Sequence, residues 1–137
     1  MPAIARREAR ERALSLLYEA ESKGVDPSSV LADLPVAPDP FVVTIVEGVG
    51  AAQERLDRLL SEHSIGWALD RMPVIDRALL RMGAFELLEL TDVPTAVVIS
   101  EAVDLAGRYS TDESGRFVNG VLAKIAEVTR PGPGRPA

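Results

Sequence analysis

The chain has no cysteine, which excludes disulfides and thiolate metal sites and makes the redox state of its compartment immaterial to folding. A single histidine, His63, removes the ordinary zinc constellations as well. Aromatic residues are scarce, with one Trp, two Tyr and three Phe; alanine and leucine are plentiful, and that balance favours helices over sheets. No apolar run approaches the ~20 residues of a membrane span, and the opening segment, charged from Arg6 to Arg12, has no signal-peptide core. The expected location is cytoplasmic. Catalytic signatures are missing too. No glycine-rich loop follows a strand, no Ser/His/Asp set occurs, and the carboxylates show no spacing that marks an acid/base pair. No enzyme activity, cofactor or metal is expected. A net charge of -6 argues against a broadly basic nucleic-acid binder but leaves room for a local basic patch.

What remains is helix-forming sequence in long stretches. The length of 137 residues suits one domain by the rough prior of ~100 to 200 residues each, and a hydrophobic fraction of 47% is ample for a core. The expected extent is residues 1–130, followed by PGPGRPA from Pro131, a tail (131–137) too rich in proline and glycine to pack and expected to be disordered.

The stretch from Pro73 to Leu90, PVIDRALLRMGAFELLEL, reads as the helix around which the rest is arranged. At about 100° per residue its charges, Asp76, Arg77, Arg81, Glu86 and Glu89, do not gather on one arc. Val74, Ile75, Ala78, Leu79, Leu80, Met82, Phe85, Leu87 and Leu88 therefore face several directions, as in a helix with neighbours on more than one side. Asp76, Arg77 and Arg81 are placed to pair along the helix, to meet a partner or to form a solvated edge.

Before it, a first helix is expected from about Ala3 to Glu21, burying Ala9, Ala13, Leu16, Leu17 and Ala20. Arg6, Arg10, Leu14 and Tyr18 share one ridge at a spacing of four, with Arg7 beside it. The acidic residues lie mostly elsewhere, so this ridge is either a basic binding edge or a solvated one. Asp26-Pro27 starts a short helix through Leu34, and PVAPDP is a stiff linker. Asp39-Pro40 starts a long helix to about Glu62, with Glu54, Arg55, Asp57 and Arg58 as solvated surface; His63 suits a partner of the helix C-terminal dipole.

Ser64 is placed to cap a short turn holding Trp67 and Leu69, with Trp67 as a core anchor. After Leu90, a helix from Thr95 to Tyr109 points Val97, Val98, Ala102, Leu105 and Ala106 inward. Ser110 to Glu113 reads as a polar turn, and Ser114 as the cap of a last helix. Divided near His63, the two halves would each form a small helical bundle.

Several blocks carry a family resemblance: RREARERALSLLY (from Arg6), WALDRMPVIDRALLRMGAFEL (from Trp67), DVPTAVVISEAVDLAGRYS (from Asp92) and ESGRFVNGVLAKI (from Glu113). In that order they resemble the blocks of the transcription antitermination factor NusB family, and they cover nearly the whole chain apart from Glu21 to Pro40 and the tail. The resemblance implies an all-α fold of about seven helices, in two packed helical subdomains around the central helix. It implies an RNA target, the boxA element of ribosomal RNA transcripts, and a protein partner, the ribosomal protein that doubles as Nus factor E (NusE). Work within the transcription elongation complex follows from the same likeness, and some members of the family form homodimers.

Carried over residue by residue, the resemblance assigns RNA contact to Arg6, Arg7 and Arg10 in the first helix and to Glu113, Arg116 and Phe117 at the start of the last. It associates Tyr18 and Asp76 with the protein partner. Arginine's planar fork suits phosphate, and an exposed aromatic can stack on an unpaired base; Phe117 is equally well placed to be a core aromatic. Asn119 and Gly120 suit close helix packing better than RNA. Ser15, Ser100, Gly107 and Arg108 depart from the residues common at these places in the family, and at Ser15 the resemblance does not carry over one polar RNA contact. A similar domain occurs fused to ribosomal RNA methyltransferases, but 137 residues leave no space for a cofactor-binding α/β domain. The remaining alternative is a helical adaptor that binds protein without touching RNA.

Overall fold

Seven α-helices and one 3-10 turn carry the computed structural model, which describes residues 5–64 and 66–131; no strand occurs among them. The helices are α1 (Arg6–Lys23), α2 (Pro27–Ala32), α3 (Pro40–Ala51), α4 (Gln53–His63), α5 (Val74–Glu89), α6 (Thr95–Tyr109) and α7 (Asp112–Thr129), with the 3-10 turn at Leu69–Arg71. The expected start of the first helix at Ala3 and most of the expected disordered tail (residues 132–137) lie outside the described residues.

Local chemistry accounts for most of the boundaries. Gly24 ends α1 with a left-handed φ of 65°, its N–H returning to the carbonyls of Ala20 and Glu21. Asp39 caps α3 by accepting from the Phe41 N–H at 2.9 Å, with Pro40 in the first helical position where no N–H is missed. His63 closes α4, its Nδ1 2.8 Å from the Leu59 carbonyl, in keeping with the expected role at a helix C-terminus.

α5 is the central element, packed against α1, α3, α4, α6 and α7. Leu79, Leu80, Ala84 and Leu87 on it are essentially inaccessible, and so are two charged residues, Asp76 and Glu86. Close approach fixes one residue type here: a Cβ on Gly83 would lie 2.6 Å from Leu122 of α7, so only glycine lets that leucine seat against α5. α1, α2 and α3 pack on one another, and α1 and α3 also on α5; α6 and α7 pair with each other and pack on α5 as well.

The structure corrects several expectations. The long helix from Pro40 breaks at Ala52, where φ is -103° and ψ 13°. Gly48 and Gly50 weaken the helix just before the break, and α4 then packs mainly on α5 and α7 while α3 stays with α1 and α2. The change of partners thus falls at Ala52 rather than near His63. α2 ends at Ala32, two residues short of Leu34. The last helix starts at Asp112 because Thr111, not Ser114, is its cap: the Thr111 hydroxyl accepts from the Ser114 N–H at 3.0 Å. Among the described residues Ser64 caps nothing; it is buried with its hydroxyl unpartnered.

Val97 points outward, 39% exposed. Asn119 and Gly120 are exposed, and nothing lies within 4 Å of a Cβ on Gly120, so close packing is not their role. Arg77 and Arg81 neither pair along α5 nor stand in solvent. Both reach across to Glu21 of α1, Arg77 also donates to the Leu69 carbonyl, and Arg81 grips Asp57 of α4 at 2.7 and 3.0 Å. Asp57 is therefore part of an interhelical clamp rather than solvated surface.

Candidate nucleic-acid interface

The N-terminal turns of α1 lie between the start of α3 and the middle of α6. Arg6 is exposed, and its guanidinium stands 4.0 Å from the centre of the Phe41 ring, within the reach of a cation–π contact. Arg7 is also exposed and donates from Nε to Glu101 of α6 at 3.2 Å. These two positions agree with a basic edge.

Arg10 does not. The ridge drawn from helical spacing puts it beside Arg6, yet it is only 3% exposed, and Leu14, next on that ridge, is buried as well. Arg10 donates from Nε and Nη2 to the two carboxylate oxygens of Glu86, at 2.9 and 2.7 Å. Burial by itself would lower the pKa of this guanidinium, but the hydrogen bond and the charge of Glu86, with Glu101 nearby, outweigh that and raise it. Arg10 is a fixed cation inside the protein, committed to a carboxylate and closed to phosphate. α1 is wide enough in its buried arc to take in this arginine because α5 offers Glu86 opposite.

The other candidate surface is the start of α7, where Asp112 and Glu113 precede Arg116. Glu113 and Arg116 are exposed there. Arg116 lines a groove of about 660 Å³ between α6 and α7, together with Ser100, Val103, Gly115 and Asn119. Ser100 adjoins Glu101, so Arg7 and Arg116 flank the same central part of α6. Phe117 faces the other way. It is half-buried, its ring meeting Trp67 edge to face at 5.1 Å between centroids. The pair packs against the side of the core; Trp67 is correspondingly half-buried rather than a deep anchor.

Tyr18 and Asp76 are not brought together. Tyr18 is 46% exposed and lines a groove of about 900 Å³ with Leu14, Val42, Ile75 and Tyr109, rimmed by Glu8, Glu11, Asp39 and Arg12. Hydrogen bonding to Glu11, with some desolvation, raises the Tyr109 pKa, and the same carboxylate raises that of Arg108. Asp76 is fully buried. Its Oδ2 accepts from the Ser114 hydroxyl at 2.7 Å, and Ser114 meets Ser110 and Thr111 at 2.9 Å each. Asp76 thus touches the groove only through its neighbour Ile75 and acts on the first turn of α7, where Glu113 and Arg116 stand.

Sequence reasoning missed Glu86, Glu101 and Arg130. Glu86 carried a signal: a carboxylate among residues that all bury requires a buried cation opposite, and Arg10 adjoins the α1 stripe at Ala9 and Ala13. Arg130 carried none. It donates to the carbonyls of Glu86, Leu87, Leu90 and Val93 and to the Thr95 hydroxyl, satisfying the open end of α5.

Comparison with known proteins bears on this geometry. A model of the NusB family matches residues 7–127. A transcription antitermination protein NusB of Kineococcus radiotolerans is 53% identical over 128 residues, covering 90% of this chain and 94% of its own. Another, of Saccharopolyspora erythraea, is 51% identical over 130 residues, covering 90% and 88%. Among solved structures, T. maritima NusB matches with a TM-score of 0.86 at 32% identity, over 95% of this chain and 96% of that one. A chain in a crystal structure of antitermination factors NusB and NusE in complex with dsRNA matches with a TM-score of 0.77 at 27% identity, over 90% and 96%.

Proposed function

The chain belongs to the NusB family, and from that premise we propose that it is an RNA-binding transcription antitermination factor that acts together with NusE on the boxA element of ribosomal RNA transcripts. The observation that carries this reading is the correspondence over nearly the whole chain with proteins named for antitermination, one solved with NusE and RNA. The function is binding, with no catalytic step.

The geometry supports a division of labour. Arg6, Arg7 and Arg116 offer exposed guanidiniums to phosphates on either side of α6, with Glu113 at the rim. Arg10 and Phe117 hold this surface from beneath, through Glu86 and Trp67. The groove around Tyr18 takes NusE, and Asp76 supports the start of α7 through Ser114. A chain at -6 repels a polyanion at long range, so local arginines and the partner's own charge must supply the attraction. We place this assembly in the cytoplasm, within the transcription elongation complex.

The test is a titration of boxA RNA and a scrambled RNA across a salt series, with and without NusE. Expected is tighter binding of boxA than of scrambled RNA, strengthened by NusE and weakened by salt. NusE binding with no RNA binding in any condition would leave the chain as a protein-only adaptor. Sedimentation of the protein, with and without RNA, measures whether a homodimer competes for the same surface.

A further inference from the structure

From the interior to the tip of α1 runs a file of alternating charges. Glu86 on α5 holds Arg10 by two hydrogen bonds; Arg10 Nη1 lies 3.9 Å from Glu101 Oε1 on α6; and Glu101 Oε2 accepts from Arg7 Nε at 3.2 Å. Side-chain exposure rises along it, from 2% at Glu86 and 4% at Arg10 to 16% at Glu101 and 63% at Arg7. Arg7 is held by Nε alone. Among the described residues its two terminal nitrogens have no hydrogen-bond partner.

We propose that Glu101 is a positioning residue for RNA binding, which grips Arg7 through Nε so that the two terminal nitrogens are presented together to one phosphate. The inference rests on the RNA-binding reading above. A guanidinium has two useful edges, and the terminal pair matches two phosphate oxygens in one plane. An unheld arginine loses much side-chain freedom when it binds, and an arginine already fixed loses less. Glu101 is itself steadied by Arg10, and Arg10 by Glu86. The buried ion pair thereby sets the direction in which a surface arginine points.

Coulomb's law alone makes the opposite forecast. A carboxylate this close to the binding edge repels a polyanion, so removing its charge would tighten RNA binding. The two effects have opposite signs, and that makes the role of Glu101 measurable.

The experiment measures boxA affinity, with NusE present, for the wild type, Glu101→Ala and Glu101→Gln, each also in an Arg7→Ala background. Glu101→Ala is expected to weaken binding about threefold to tenfold. Glu101→Gln, which keeps an acceptor for Nε, should weaken it less, and neither change should matter once Arg7 is absent. Circular dichroism and thermal unfolding establish that each variant is folded; if Glu101→Ala is not, the glutamine variant and its cycle with Arg7→Ala decide. The Arg7 Nε–H resonance in RNA-free protein should move in Glu101→Ala, reporting the grip directly. Tighter or unchanged binding in the folded Glu101 variants, or an equal loss without Arg7, overturns the inference while leaving the RNA reading intact. Failure of the wild type itself to bind RNA removes that reading instead.

Discussion

Arg10 of α1 and Glu86 of α5 meet through two parallel hydrogen bonds, 2.9 and 2.7 Å long, with each side chain less than 5% exposed. The two residues are 76 positions apart, so the pair fastens the first helix to the central one. Breaking a buried pair from one side strands the other charge. Arg10→Ala is expected to lower stability by about 3 to 5 kcal/mol, measured by denaturant unfolding. Once corrected for the folded fraction, its RNA binding should show the wild-type salt slope. A loss below ~1 kcal/mol would mean that Arg10 spends its time in solvent.

The exposed arginines should behave in the opposite way. For single strands each neutralised phosphate contributes about -0.7 to the slope of log affinity against log salt, so Arg6→Ala with Arg7→Ala should flatten it by roughly 1.4 with the fold intact. Equal losses on boxA and scrambled RNA mark contacts to phosphate; a larger loss on boxA marks a base contact. An unchanged affinity and slope, alone and with NusE, would move the RNA surface off α1.

Tyr18 tests the other face. It is half-exposed in a groove with an apolar floor, so a carboxylate placed there must be desolvated when a partner closes over it. Tyr18→Asp should weaken the NusE complex by about tenfold or more in calorimetry, with circular dichroism unchanged. Wild-type affinity in that variant would take Tyr18 out of the interface.

One substitution made at two glycines should change stability in opposite directions. Gly83→Ala puts a methyl group 2.6 Å from Leu122 and is expected to cost about 1 to 3 kcal/mol. Gly120→Ala, on an exposed helical surface with open space around it, should stabilise by about 0.4 to 1 kcal/mol. Thermal unfolding compares the two directly. Stabilisation by both would mean that α5 and α7 do not approach as closely as described.

The course of the backbone was legible because short-range chemistry writes it: Asp39-Pro40 opens α3, Gly24 closes α1, and the scattered charges of α5 announce a helix enclosed by others. The break at Ala52 was not legible. Val42, Ile45, Val46, Val49, Leu56 and Leu60 keep one helical spacing across it, and only the exchange of packing partners reveals the bend. The basic edge was legible in part. Periodicity grouped Arg6 with Arg10 correctly on one ridge but carries no information about how wide a buried arc is, which depends on whether a carboxylate waits on another helix. Asp76 shows the same limit, since its partner, Ser114, is 38 residues away.

Arg130 has a bearing on the order in which the molecule is made. Its guanidinium closes the last carbonyls of α5, among them those of Glu86 and Leu87, from 43 or 44 positions further along the chain. While the protein is being synthesised, the Leu90 N–H can already bond the Glu86 carbonyl, but the donors that Arg130 brings to Glu86 and Leu87 arrive only once residue 130 has left the ribosome. The final turn of the central helix therefore gains its side-chain closure only when α7 is complete. A nascent chain stopped before that point lacks the closure that its own last helix brings, so the end of the central helix is completed late, by a residue from the far end of the chain.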